Sequence, residues 1–322
     1  MAANDKERKD YLSFRKFPNE IKSMVFTEAL CKPHIHFFRV RRVNNVNQAT
    51  WSIDLSPFPR NIDSSGFRLS ANLSAVDPIA AGASTRAATE PMQLQIRGRT
   101  AAAIDAATDI VCVTFDGNSK LRPGYWALGS QIHNRIVDRQ GVSARFAGIK
   151  KIALSYSKRD KHSDISQAPF ICTHRSNCCP WRGNWKVCPE ELAGFIDCLP
   201  PSVEEIYVIA RLGITKAERE QVQTYKDWFF REPVDSIFRD GMVTFYDARR
   251  TYIEIDDDTR YLDDCKLIAS LYEEIDYVIA NTWKYLLADT NPSLTMSANP
   301  PQFTMPLAQR ERLRFTQLLA VD

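Results

Sequence analysis

Glycine is scarce in this 322-residue chain: twelve residues, about half the usual share. None falls in a G-x-G-x-x-G or G-x-x-x-x-G-K-[ST] arrangement, so a backbone loop that cradles phosphate is not expected. The chain also lacks a G-x-S-x-G elbow and an H-E-x-x-H pair, and it has only five histidines to serve as general bases. Long apolar runs are missing. Ile206-Tyr207-Val208-Ile209-Ala210 is among the longest and falls far short of the roughly 20 residues that span a bilayer. Charge of one sign is missing too: 42 basic against 39 acidic residues leave a formal net charge of +3, which argues against nucleic acid as the default partner. The stretch Met1 to Asp10 mixes Lys, Arg, Asp and Glu with no apolar segment behind it. It therefore reads as neither a secretory signal nor a transit peptide, and the expected location is cytoplasmic or nuclear.

What is present is an ordinary globular composition, 44% hydrophobic and 25% charged, sufficient for a core. Ile21, Met24, Val25 and Ala29 recur at helical spacing between Pro18 and Leu30, which predicts an amphipathic helix with this stripe turned toward the core. Phe14 and Phe17 precede it and are expected to pack back on it like a staple. Alternation from His34 to Val43 and the apolar run Trp51 to Leu55 predict two strands, the second closed by Pro57 and Pro59. Ala75 to Thr89 reads as a surface excursion or a weak helix, and Arg97 to Ala107 as a helix. Ile110 to Phe115, Ile152 to Tyr156 and Ile206 to Ala210 are compact β-branched runs of the buried-strand type. The last two flank a helix predicted from Cys188 to Leu199, and a strand, helix, strand order predicts parallel neighbours joined by a right-handed crossover. Helices are expected over Lys216 to Phe230 and Asp263 to Leu287, and one or two strands between Met242 and Ile255. Pro, Ser, Asn and Thr crowd Asn291 to Pro306, so the end of the chain reads as loose, with a short helix over Leu307 to Leu319.

The fold class is thus α/β, with a mixed, partly parallel sheet, covering helices and an N-terminal helix. Three units are expected: an N-terminal motif over 11–45, an α/β body continuous with it over 46–288, and a loose tail over 289–322.

Phe14-Arg15-Lys16-Phe17-Pro18-Asn19-Glu20-Ile21-Lys22-Ser23-Met24-Val25-Phe26-Thr27-Glu28-Ala29-Leu30 resembles the opening motif of the fungal two-ExR domain family, F-x-x-[LF]-P-x-E-I-R-x-x-[IV]-[WF]-x-x-A-L. Lys22 stands where that family has Arg, and no second E-x-R follows, so the resemblance is to a divergent member. It implies a fungal protein of a family without assigned chemistry. The same residues are similar to the start of an F-box, P-x-E-I-x-x-x-I-F-x-x-L, with Pro18, Glu20, Ile21, Val25 and Phe26 matching. That likeness implies a helix docking on a Skp-type adaptor, as other helices enter a partner's groove, and it marks those five residues as partner-binding candidates.

Cys172, His174, Cys178, Cys179 and Cys188 crowd one segment with Trp181 and Trp185. Thiolates and imidazole are the ligands of a structural zinc, but C-x-H-x3-C-C-x8-C matches no familiar zinc spacing. With eight cysteines in a chain expected to stay in a reducing compartment, reduced thiols are the expectation, with no metal and no cofactor. Cys188 at a helix start with His174 as base would make a cysteine-dependent enzyme, yet no oxyanion or specificity feature accompanies them. Glu254, Asp256, Asp257, Asp258, Asp263 and Asp264 lack the Gly and terminal Glu of an EF-hand loop and read as helix-start carboxylates. Arg39, Arg41 and Arg42 beside Phe37 and Phe38, and the trio Lys158, Arg159 and Lys161, read as solvated faces. The expected function is a non-enzymatic one exercised through protein contacts.

Overall fold

The computed structural model of the chain describes residues 17–30, 32–44, 51–57, 64–96, 101–115, 139–157, 189–212, 215–230, 244–255, 257, 259, 262–287 and 305–321. In chain order the elements are α1 (Asn19–Leu30), β1 (Ile35–Asn44), β2 (Trp51–Pro57), α2 (Gly66–Val76), α3 (Pro78–Ala87), β3 (Pro91–Gln95), β4 (Ala101–Asp105), β5 (Ile110–Phe115), α4 (Arg139–Arg145), β6 (Lys151–Ser157), α5 (Pro189–Ile196), β7 (Glu205–Arg211), α6 (Lys216–Phe230), β8 (Thr244–Tyr246), β9 (Thr251–Ile255), α7 (Lys266–Leu286), α8 (Leu307–Arg310) and β10 (Arg314–Val321).

The fold is α/β. Eight strands form one mixed sheet in the order β2-β1-β5-β6-β7-β10-β9-β8, with β3 and β4 in a separate hairpin. β1, β5, β6, β7 and β10 run parallel to one another, and β2 and β9 are antiparallel to their neighbours. The two β-branched runs around α5 pair in parallel as predicted, Ile152 opposite Ile206 and Leu154 opposite Val208. A parallel strand is covered on both faces, which is why these segments read as continuous apolar runs rather than alternating ones.

The sheet curls until its last strand returns to its first: Tyr246 of β8 bridges His34 just before β1, with the Tyr246 N–H donating to the Pro33 carbonyl at 2.9 Å. Curling encloses one face. Ile35 and Phe37 of β1, Cys112 of β5, Tyr207 of β7, Phe245 of β8 and Tyr252 of β9 meet there in one buried cluster. Phe37 lies 6.2 Å from Tyr252 and Tyr207 lies 5.3 Å from Phe245 between ring centroids, joining strands far apart in the sheet order. The other face is covered by helices. Phe146 and Val142 around α4, Leu192, Phe195 and Ile196 of α5, and Ile268, Leu271 and Ile275 of α7 pack with Val111, Val113, Ile152 and Leu319 of the strands. Along α7 the buried residues recur at helical spacing, the pattern that identified it in the sequence.

Two sequence expectations are overturned. The described part of the predicted Arg97 to Ala107 helix, residues 101–107, is not helical: β4 pairs with β3 antiparallel, Ala102 opposite Leu94 and Ile104 opposite Met92, and residues 97–100 lie outside the described residues. The alanines favour a helix intrinsically, but Ala102 and Ile104 are buried while Ala101 and Ala103 are exposed, a period of two that lets the hairpin lay one face on the core. Nor does the chain end in a helix from Leu307 to Leu319, although the segment expected to be loose, Asn291 to Pro306, lies outside the described residues up to position 304. The helix stops at Arg310, and β10 is an interior strand held parallel by β7 and antiparallel by β9. Leu318, Leu319, Ala320 and Val321 are buried in succession, so burial on both sheet faces decides against helix propensity. The helix predicted from Cys188 to Leu199 ends at Ile196 and gives way to turns before Pro200. Between Ala75 and Thr89 the chain is helical over most of its length, in the end of α2 and in α3, where the Asp77 side chain caps the Ile79 N–H at 2.9 Å.

Candidate functional site

At about 100° per residue around a helix, Ile21, Met24, Val25 and Glu28 fall on one arc of α1, and Phe26 lies opposite its centre. The structure buries the Phe26 side. Phe26 is 7% exposed and packs with Ala80 and Ala83 of α3 and with Leu30. Of the stripe expected to face the core, Ile21 is 41% exposed, Met24 67% and Val25 46%, while Ala29 is half-buried; Phe17, expected to pack back on the helix, is itself 46% exposed. The expectation of a core-facing stripe is therefore corrected. α1 docks through Phe26 and Leu30 on a cluster formed by Ala80 and Ala83 with Leu73 and Ile79, so the side of the helix that carries Phe26 is the one that meets the body of the protein. Of the five partner-binding candidates, Pro18, Glu20, Ile21 and Val25 share the exposed side and Phe26 does not. Lys32, which pairs with Glu28 at 3.7 Å, lies 5.1 Å from the centre of the Tyr246 ring and leads the chain into β1.

Beneath the end of α1 lies a group of buried polar residues that sequence reasoning missed. β1 and β5 are parallel, so their N-terminal ends bring His34, His36 and Asp109 together. Asp109 accepts from the His34 N–H at 2.9 Å, from the Asp105 N–H at 2.8 Å and from His36 Nε2 at 2.8 Å. On its other side His36 Nδ1 accepts the Phe67 N–H at 2.9 Å, which fixes the ring proton on Nε2, toward Asp109. The reason lies in α2. Its N-cap residue, Ser65, makes no side-chain cap; the hydroxyl instead accepts the Phe37 N–H at 2.8 Å. The imidazole of His36 thus satisfies a helix N–H that would otherwise be buried and unpaired. Burial alone would raise the Asp109 carboxyl, but His36 and the N–H groups of Asp105 and His34 outweigh it and hold the group below the usual carboxylate range.

Asp247 forms the neighbouring knot. Its carboxylate accepts from Ser64 Oγ at 2.7 Å, Tyr252 Oη at 2.6 Å, and the backbone N–H groups of Arg249 and Arg250 at 2.6 and 2.7 Å. Asp105 likewise accepts from the Thr89, Glu90 and Ala107 N–H groups, closing the base of the β3–β4 hairpin. These carboxylates spend their lone pairs on turns and strand starts. Ligands of open α/β sheets bind outside the carboxyl ends of the strands, and this cluster sits at the amino ends of β1 and β5. Its groups act as a fastening: the Ser65 hydroxyl accepts the Phe37 N–H and donates to the Phe37 carbonyl, tying the start of α2 to β1. A signal was available in the alternation His34-Ile35-His36 at a strand start, but its partners lie 73 residues away in Asp109 and 31 residues away in Phe67.

Of the remaining sequence candidates, Cys172, His174, Cys178, Cys179 and Cys188 lie outside the described residues, as do Lys158, Arg159 and Lys161. Among the described residues Cys112, Cys198 and Cys265 are buried free thiols, and no group of three or more His, Cys, Asp or Glu is placed to hold a metal ion. Burial and the neighbouring Asp264 push the Cys265 thiol up, away from the reactive thiolate. Asp263 and Asp264 occupy the turn that opens α7, but neither that turn nor α7 has a side-chain cap at its N-cap residue. Among the described residues no helix is long and apolar enough to cross a membrane. No family model, curated protein or solved structure matches the chain.

Proposed function

We propose that this chain is a non-enzymatic protein-binding module that docks a partner through the outward face of α1. One observation carries the reading: the helix turns its larger apolar residues, Phe17, Ile21, Met24 and Val25, to solvent and keeps only Phe26 buried. These make up four of the six exposed large hydrophobics among the described residues, the others being Phe230 and Tyr277. A solvent-facing apolar row on a helix fastened from behind is the form in which helix-in-groove recognition presents its anchors. The carboxylates of Asp105, Asp109 and Asp247 and the imidazole of His36 support the same reading, since they are engaged with partners within the fold.

The more specific version is an F-box-like adaptor of the divergent two-ExR type that binds a Skp homologue, and the exposure of Pro18, Glu20, Ile21 and Val25 favours it. The test is binding of a purified Skp homologue to the wild-type chain and to an Ile21→Asp, Met24→Asp double variant. The expected result is binding by the wild type and loss of binding by the variant at an unchanged melting temperature. A wild type that ignores the homologue rejects the adaptor version. The broader reading falls if affinity purification from a fungal host recovers the same proteins with both forms.

A further inference from the structure

The two ends of the curled sheet differ in chemistry. Phe37 of β1, Cys112 of β5, Ala153 of β6 and Ile209 of β7 belong to the enclosed cluster, while the residues next to them in each strand belong to the helix-covered one. Counting by twos from these positions gives the rest of the enclosed face. Toward the amino ends of the parallel strands it carries Lys151, Glu205 and Arg314, and these are matched. Glu205 takes Arg314 at 2.6 Å and the Tyr207 hydroxyl, and Lys151 lies 5.7 Å from the centre of the Phe245 ring. Toward the carboxyl ends the next positions on that face are Arg39, Thr114, Ser155 and Arg211, and the register places Thr114 beside Arg39. All four residue types are hydrogen-bond donors, and none is a carboxylate. β2 adds Ser56 directly opposite Arg39, and residues paired in this way share a face. Ser56 is only 7% exposed, and its hydroxyl is buried without a hydrogen-bond partner.

We propose that the carboxyl end of the enclosed face is an anion site that takes the phosphate group of a small molecule, with Arg39 and Arg211 supplying charge and Ser56, Thr114 and Ser155 supplying hydroxyl donors. A buried donor left without a partner is costly, and a phosphate oxygen is the acceptor that Ser56 lacks. Guanidinium groups match phosphate geometrically as well as in charge. No glycine-rich loop is needed, because the donors stand on strands. The acids nearby are already answered. On β2 the register sets Asp54 opposite Arg41 and leaves Arg39 facing a hydroxyl. In the turn between β8 and β9, which lies at this end because β9 runs against β10, the Asp247 carboxylate is spent on Ser64, Tyr252 and two backbone N–H groups. The apolar layer of Phe37, Cys112 and Ile209 beneath the site lowers the local dielectric and strengthens a contact between opposite charges. The position is also where α/β sheets receive ligands, outside the carboxyl ends of their strands. α1 leads into the amino end of β1, so this inference goes beyond the proposed docking face and stands or falls separately from it.

The test is titration calorimetry of the full chain with inorganic phosphate and with ribose 5-phosphate, ribose serving as the uncharged control. The wild type should bind both phosphate-bearing probes and not ribose, and the binding should weaken as salt is added. Arg39→Gln and Arg211→Gln should each weaken it about tenfold or more, whereas Lys151→Gln, at the other end of the face, should leave it unchanged. Tighter binding of the ester than of phosphate supports the site with an esterified ligand, and equal binding supports it with the free anion. Ser56→Ala decides the matter should the arginine variants fail to fold. Removing an unpaired buried hydroxyl should leave the melting temperature of the ligand-free chain unchanged or raised, while phosphate binding weakens. A wild type that binds neither probe at millimolar concentration overturns the proposal. So does binding that survives the arginine and serine variants, or that falls equally in Lys151→Gln.

Discussion

Replacing Asp109 by Asn tests whether the His36–Asp109 pair is a fastening, and its cost can be worked from the geometry. The wild-type carboxylate takes the His34 N–H on one oxygen and the Asp105 N–H and His36 Nε2–H on the other. An Asn of the same shape has one oxygen and one NH2. With its oxygen at the position that serves Asp105 and His36, the NH2 confronts the His34 N–H, donor against donor; the opposite orientation loses two bonds. The better choice leaves one buried N–H unpaired, about 1 to 3 kcal/mol, and the two retained bonds lose the help of the charge, about 1 kcal/mol more. We expect a loss of roughly 3 kcal/mol in urea unfolding near pH 7. The folded carboxyl titrates below 3.8 and the unfolded one near 3.8. Its stabilisation is thus complete above 3.8 and is lost as the pH falls through the folded value, so the gap between wild type and Asp109→Asn should narrow on acidification. A difference under about 0.5 kcal/mol at neutral pH, or a gap that widens in acid, would refute the assignment.

Two further predictions concern the elements around this fastening. Phe26→Ala should cost about 3 kcal/mol by removing the ring seated on Ala80 and Ala83, and the loss should appear as early exchange of α1 amides before global unfolding. Gly66→Ala should destabilise by about 1 to 3 kcal/mol in thermal unfolding, because the new methyl lands 2.5 Å from His34 Cβ, which is fixed to the backbone and cannot swing away. A Gly66→Ala protein as stable as the wild type would show that β1 and α2 are not pressed together there.

How far the sequence revealed this fold depended on whether a segment's neighbours were local. α6, at Lys216–Phe230, and α7 carry their periodicity within themselves, and both emerge where the pattern placed them. β6 and β7 were recognisable as parallel neighbours because the chain between them carries the covering helix that a right-handed crossover demands. β10 was not recognisable, since its pairing with Glu205 to Arg211 joins positions more than a hundred residues apart. Nothing within Arg314 to Val321 distinguishes a strand buried on both sides from the last turns of a helix. β4 failed for a related reason: three alanines and an isoleucine do not show which period will be buried until β3 lies beside them.

The candidate site was legible in composition but not in orientation. The residues from Pro18 to Phe26 mark a helix with large apolar side chains, yet an amphipathic pattern does not state whether the wetter or the drier arc meets the body of the protein. That is decided by what the partner element offers. α3 offers Ala80 and Ala83 flanked by Ile79, with Leu73 of α2 beside them, and it is Phe26 that turns inward to them while Ile21, Met24 and Val25 turn outward. The buried cluster was illegible for the opposite reason: its residues are ordinary in sequence and acquire a role only through His36 meeting Phe67 on one side and Asp109 on the other. A helix that leaves its larger apolar residues in water is attached more weakly than one that buries them.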